Sequence, residues 1–346
     1  MPHRFVILLA AFSILNCDSR AAKPAQRIPA VPAGSEAVDR AVERGVGFLI
    51  SRLSPTGAII DANGGPRFAN VFTGLSFLAL VSAGHEPADP TPEGFALRMS
   101  EGFLLREDRV GGSGYLGGTD GSTLHGHSIT CIALGEVARL GQPREQRKLA
   151  RRRFQDGVNF IASRVRANQE FGFEKSRDIS SSISWAIGGW QSVDLAMFED
   201  FGLGSVRSEM NAIVGVYEIR WTPRGRQLRQ IEPALSAAGL LAMKIRGVRG
   251  AGYGNARISL AGGTFKHHLG DVMAAWLAAL DSGRTSARSS RPAGTSNLVQ
   301  WQKPGGDWPT KGYDGKVTGP VYATASTLLA LTAADHRLAF LQQKRR

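Results

Sequence analysis

Apolar segments of two kinds alternate along this chain, and the alternation limits the folds open to it. Residues 71–83, 127–140, 183–201, 232–246, 268–282 and 321–334 are rich in Ala, Gly, Ser and Leu and apolar on nearly every side. Between them, residues 36–53, 91–106, 144–167 and 205–221 carry charge on one side and an apolar stripe on the other. In the third of these, Phe154, Val158, Ile161 and Val165 share one helical face. Thr91-Pro92-Glu93 supplies a cap, a first-turn proline and a first-turn acid. A helix apolar all round must be enclosed by protein, whereas an amphipathic one can face water. The first five apolar segments end at Gly84, Gly141, Gly202, Gly247 and Gly283, where a left-handed residue can stop a helix. Most intervals between these glycines hold a second helix and two loops, so the chain reads as repeated helical hairpins. The expected fold is all-α, a closed double ring in which six inner helices are covered by outer ones. An open superhelix would leave its end helices bare unless capped, and a bundle with two cores is the other competitor.

Internal repetition agrees with a helical array. Residues 44–52 and 156–164 share five of nine positions, and residues 236–243 parallel residues 324–331. Near the C-terminus, Gln302…Gly306-x-Trp308 ends an outer helix in a turn, followed by Gly319-Pro320-Val321-Tyr322-Ala323-Thr324-Ala325. This pair of features resembles the prenyltransferase/squalene-oxidase repeat family. That family includes terpenoid cyclases, protein prenyltransferase β subunits and many secreted bacterial proteins. The resemblance covers about residues 35 to 335 and implies an α6/α6 toroid. Only the last repeat carries the sharp motif: Arg52…Gly57-Ala58-Ile59 has neither glutamine nor tryptophan where the turn would place them.

The first residues speak to compartment. Met1-Pro2-His3-Arg4 is a short basic start, residues 5–15 are apolar, and Ser19-Arg20-Ala21 offers small residues for a signal peptidase. Eleven residues at about 1.5 Å each cannot cross a hydrocarbon core of about 30 Å. Residues 1–21 are therefore expected to be a secretory signal, 22–34 a linker and 35–346 the toroid domain. Cys17 behind Ile14-Leu15-Asn16 loosely resembles a lipoprotein attachment box, which would anchor the exported chain to a membrane. Removal of the signal leaves Cys131 as the sole cysteine, so no internal disulfide is available. No later run reaches the ~18 apolar residues of a membrane span.

The formal charge of +13 favours anionic partners without naming one. Basic residues cluster at 144–153, 220–229, 284–291 and 344–346. They read either as solvated surface or as attachment to an anionic envelope polymer or lipid surface. Export and the lack of any recognition motif argue against nucleic acid.

In a ring, the inner helices run parallel and their N-terminal ends meet at one mouth, where free N–H groups and partial positive charge gather. That geometry nominates Asp178, His127, His268 and Asp271 as catalytic candidates. His125, Glu232, His267 and Tyr322 join them as ligand-binding candidates, with Trp185 and Trp190 where the inner helices face a cavity. Loop polarity accounts for the same residues. Trp276 also lies on an inner segment, and each tryptophan could instead pack between the layers.

His127 and Cys131 share a face at i, i+4, but the family's zinc set needs an Asp two before the Cys, and Ile129 stands there. No metal and no cofactor is expected. The family's acidic cyclase run is reduced to Asp178-Ile179-Ser180-Ser181, a single carboxylate. Asp194 with Glu199-Asp200 is the nearest approach to a magnesium-binding cluster, and capping and solvation account for it.

Three functions remain: a ligand- or partner-binding toroid with degraded catalytic motifs, an enzyme on an isoprenoid-like apolar substrate, or a lyase or hydrolase of an acidic polysaccharide. A deep apolar cavity lined by tryptophans would favour the second. An open cleft showing His127, His268 and Tyr322 would favour the third, and a centre filled by Leu and Phe side chains the first.

Overall fold

A computed structural model describes residues 35–61, 68–106, 113–116, 123–166, 182–221, 233–246, 268–282, 295–310 and 312–342. Every regular element among them is helical: α1 (Ser35–Ile50), α2 (Ala69–Ala83), α3 (Pro92–Leu104), α4 (Thr123–Leu140), α5 (Arg144–Arg166), α6 (Ser182–Asp200), α7 (Arg207–Trp221), α8 (Pro233–Arg246), α9 (His268–Ser282), α10 (Thr295–Gln300) and α11 (Gly312–Thr332). The all-α expectation holds. Local signals set the ends. Thr91 accepts the Gly94 N–H at 3.2 Å to cap α3, with Pro92 in the first turn. Gly84 stops α2 at φ 105°, and Gly202 follows α6 at φ 64°. Gly141 departs from expectation. It is absent from the left-handed region, and its N–H simply continues the helical pattern onto the Val137 carbonyl at 2.8 Å. Gly247 and Gly283 lie outside the described residues.

The two kinds of segment occupy different environments. Every residue of α2 from Ala69 to Ser82 is buried. On α5 the buried residues lie along one side, with the stripe Phe154, Val158, Ile161 and Val165 flanked by Ala150 and Ala162, while Arg151 and Arg152 face solvent. Burying a side chain of that size contributes about 1.5–3 kcal/mol. Helices of the first kind pack on one another in order: α2 on α4, α4 on α6, α6 on α8, α8 on α9, α9 on α11, and α11 on α2. The amphipathic helices cover them: α1 lies against α11 and α2, α3 against α2 and α4, α5 against α4 and α6, α7 against α8 and α6. The inner part of α11 begins at a break, with Gly319 at φ 77° and Pro320 next. Asp61 Oδ2 accepts the Val321 N–H there at 3.1 Å and restarts the helix. At the other end, the Ser82 and Thr332 hydroxyls bond at 2.6 Å, so α2 and α11 run in the same direction.

One turn recurs three times. A glycine with positive φ (Gly57 at 87°, Gly114 at 80°, Gly306 at 87°) follows a covering helix. Any side chain there would collide with a carbonyl of the next covering helix, that of Met99, Asp156 or Arg44 respectively. Two residues on, the backbone N–H donates to a side chain near the start of a circuit helix. Ile59 donates to Thr73 Oγ1 at 3.1 Å, Leu116 to His127 Nδ1 at 3.0 Å, and Trp308 to Thr324 Oγ1 at 3.2 Å. The turn after Arg52 therefore keeps the backbone of the last repeat without its glutamine and tryptophan. In the last copy those residues add a clasp. Gln302 donates to the carbonyls of Ala41 and Gly306 at 2.8 and 2.9 Å and accepts from Arg44 Nε at 2.9 Å. Trp308 is buried and donates to the Leu298 carbonyl at 2.6 Å.

Candidate functional site

Two of the nominated residues meet near the starts of their helices. His125 in the first turn of α4 and Tyr322 in the first turn of inner α11 are joined by a 3.1 Å hydrogen bond between Nε2 and the hydroxyl. Tyr322 is buried and His125 partly so. His268 opens α9 and is buried, and Asp271 lies half-buried in the same first turn. Asp178, Glu232 and His267 fall outside the described residues, as does the side chain of Trp185 in the first turn of α6.

His127 is not part of that group. Its ring lies toward α5, against the stacked pair Tyr115 and Phe160 with centroids 5.5 and 5.1 Å away. Nδ1 accepts the Leu116 N–H, which fixes the proton on Nε2, and Nε2 donates to the Gly157 carbonyl at 3.1 Å. Burial holds its pKa down at about 4. A neutral imidazole with both nitrogens bonded to backbone has none left for a substrate proton. The expectation of a catalytic His127 gives way here to a histidine in the place that Thr73 and Thr324 hold in the other two turns.

Cys131, one turn further along α4, shares that orientation. Its thiol lies 3.9 Å from the Phe154 carbonyl, and burial together with nearby Asp194 pushes its pKa well above the usual range. No third His, Cys, Asp or Glu completes a metal-binding group with this pair among the described residues.

Deeper along the circuit helices, aromatic side chains meet. Trp190 of α6 and Trp276 of α9 pack edge to face at 5.0 Å, and Phe340 packs on Trp276 at 4.5 Å. All three are fully buried. Helix α8 lies between α6 and α9 in the order of neighbours, so the contact passes along one side of α8. Close approach is helped by Gly189, where a side chain would press on Ala238 of α8 and Met273 of α9 at 3.1 Å. Neither indole N–H has a partner.

Five buried acids among the described residues went unnominated as site residues, one of them Glu209 of α7. Asp61 restarts α11, as described above. Glu101 of α3 accepts the Gln142 N–H at 3.2 Å, and burial raises its pKa to about 7. Glu136 of α4 accepts the Ala339 N–H at 2.6 Å and pairs with Arg139 at 2.7 Å. Asp194 of α6 is fully enclosed rather than solvated, contrary to expectation. Its carboxyl is pushed well above the ordinary range by burial, which the neighbouring Ser128 hydroxyl offsets only in part. Neither of its oxygens completes a hydrogen bond. Enclosed by protein, that carboxyl faces no open site, and its supposed companion Glu199 accepts the Val206 N–H at 3.1 Å. An acid inside an otherwise apolar helical segment, as at Glu136 and Asp194, was the signal that could have marked these positions.

The basic run on α5 divides into two sets. Arg147, Arg151 and Arg153 donate to the carbonyls of Gly141, Phe201 and Arg106, closing the chain just past α4, α6 and α3. Arg144, Lys148 and Arg152 are exposed, with Lys148 paired to Glu145 at 2.8 Å. No helix among the described residues is long and apolar enough to cross a membrane. Compared with known proteins, the chain matches no family model, and no curated protein matches it.

Proposed function

We propose that this chain is an exported α6/α6 toroid of the prenyltransferase/squalene-oxidase repeat type that binds a ligand or partner rather than transforming one. The cyclic order of helix neighbours supports the toroid, and the thrice-repeated glycine turn supports the repeat resemblance. The binding role rests on one observation: Trp190, Trp276 and Phe340 fill the space between α6 and α9 with no exposed surface. His127 is committed to backbone and Asp194 is enclosed, so neither is placed to exchange a proton with a substrate. The His125–Tyr322 pair at the helix starts is the polar contact available to a small apolar molecule with an oxygen acceptor. The exposed Arg144, Lys148 and Arg152 suit an anionic polymer or lipid surface outside the cytosol.

Native mass spectrometry of the full chain purified from its own cell envelope tests this reading. The expected result is a polypeptide beginning at Ala22 that retains a second species of fixed mass after desalting. A bare polypeptide in every preparation would remove the binding role, and a polypeptide still carrying residues 1–21 would remove export.

A further inference from the structure

Past Thr332 the chain does not leave the molecule. It runs as a short 3-10 turn (Ala333–Asp335), reverses at His336 with φ 52°, and enters a second 3-10 turn (Ala339–Gln342). These residues lie across the C-terminal parts of the circuit helices. The Arg337 guanidinium rests on Gly84 just past α2, and its carbonyl accepts from Arg139 of α4 at 3.1 Å. The Ala339 N–H donates to Glu136 of α4, the Phe340 ring packs on Trp276 of α9, and the second turn also touches α6. The first turn packs on α9 and α11. One ten-residue segment thus meets α2, α4, α6, α9 and α11.

The attachment is concentrated. Leu338, Phe340 and Leu341 supply its large buried apolar side chains, beside the small Ala333 and Ala334. Its polar hold on α4 centres on one carboxylate, with Glu136 Oε1 on the Ala339 N–H and Oε2 on Arg139 Nε at 2.8 Å. The segment has no helix of its own longer than four residues and is braced internally by Gln342 on the Arg337 carbonyl at 2.7 Å and by His336 with the Leu341 carbonyl at 3.0 Å. Beside it, the Trp190 and Trp276 indole N–H groups are buried without partners. Closed packing is therefore energetically incomplete at this spot.

We propose that residues 333–342 are a releasable stopper over the C-terminal end of the helical ring. Its opening as a unit, with the circuit helices staying in place, uncovers the Trp190–Trp276 pair to a bound molecule. This rests on the reading of the ring as a binding protein, whose ligand it would admit or retain.

Hydrogen–deuterium exchange of the full chain under native conditions tests the stopper without any ligand. The amides of Leu338 to Leu341 are expected to exchange at least about tenfold faster than those in the last turns of α4 and α9. Glu136→Gln keeps an oxygen for the Ala339 N–H but removes the charge that holds Arg139, and should widen that gap by about tenfold or more with the helices unchanged. Phe340→Ala serves the same purpose should Glu136→Gln fail to fold. Exchange of the segment at the rate of the circuit helices, in the unsubstituted chain, would overturn the stopper and leave the binding reading standing. A segment that opens alone in a protein that never carries a bound species would do the reverse.

Discussion

His127 is a neutral imidazole locked between two backbone groups, and that has a pH signature. In the unfolded chain its pKa is about 6.5, whereas the folded site holds it near 4. Protonation below about 6.5 therefore favours the unfolded chain. Stability from this group is complete above that value and declines as pH falls toward 4, by up to about 3 kcal/mol. Buried acids such as Glu101, with raised pKa values, contribute slopes of the opposite sign, so a comparison with His127→Phe isolates the histidine. Urea unfolding at about pH 7.5 and about pH 4.5 should show the unsubstituted chain losing about 2–3 kcal/mol more than the variant over that interval. At the higher pH the variant should already be less stable by about 2–4 kcal/mol, since the Leu116 N–H and Gly157 carbonyl lose their partner. Equal pH slopes would show that the imidazole is not buried as described. The sequence could nominate His127 by type and position at a helix start. It could not reveal that Leu116 and Gly157 converge on the ring, because both lie on other segments and neither is polar in its side chain.

At the scale of helices and turns the sequence was far more legible, because periodicity and stop signals are local. The segment at 268–282 coincides with α9, and the one at 144–167 overruns α5 by a single residue. An outer helix was expected before the Gln302 turn without a start, and α10 proves to be only six residues long. The two closing 3-10 turns were not foreseen, since so few residues cannot establish a helical period. The repeated turn was read sharply at Gly306 and in degraded form at Gly57 but missed at Gly114. Its defining contacts are a backbone carbonyl and a backbone N–H, which side-chain identity does not mark. Glycine substitutions should separate the turn from the helices. Gly306→Ala places a side chain at φ 87° against the Arg44 carbonyl and should cost at least about 2 kcal/mol. Gly47→Ala, on the exposed face of α1 where an added methyl meets nothing within 4 Å, should stabilise by roughly 0.5–1 kcal/mol. Thermal unfolding of the two variants would read the opposite signs directly; a destabilised Gly47→Ala together with a neutral Gly306→Ala would contradict the turn geometry.

For the molecule as a whole, the contacts that matter most join its two ends. Gln302 reaches the Ala41 carbonyl and receives Arg44, residues 261 and 258 positions away. Gln302→Ala should cost about 1–3 kcal/mol and loosen α1 selectively. Amide exchange in α1 should then rise while α5 stays protected, and uniform loss of protection would mean that the clasp is not what holds the first helix. That partnership was invisible in the sequence, where the Gln-x3-Gly-x-Trp pattern marks a turn without saying what it touches. It also sets an order of events during synthesis. Helix α1 can meet α2 and α3 soon after it is made, but its contacts with Gln302 and α11 must wait while some 250 further residues emerge. Full docking of α1 therefore belongs to the last stage of synthesis, once the turn at Gly306 has been translated.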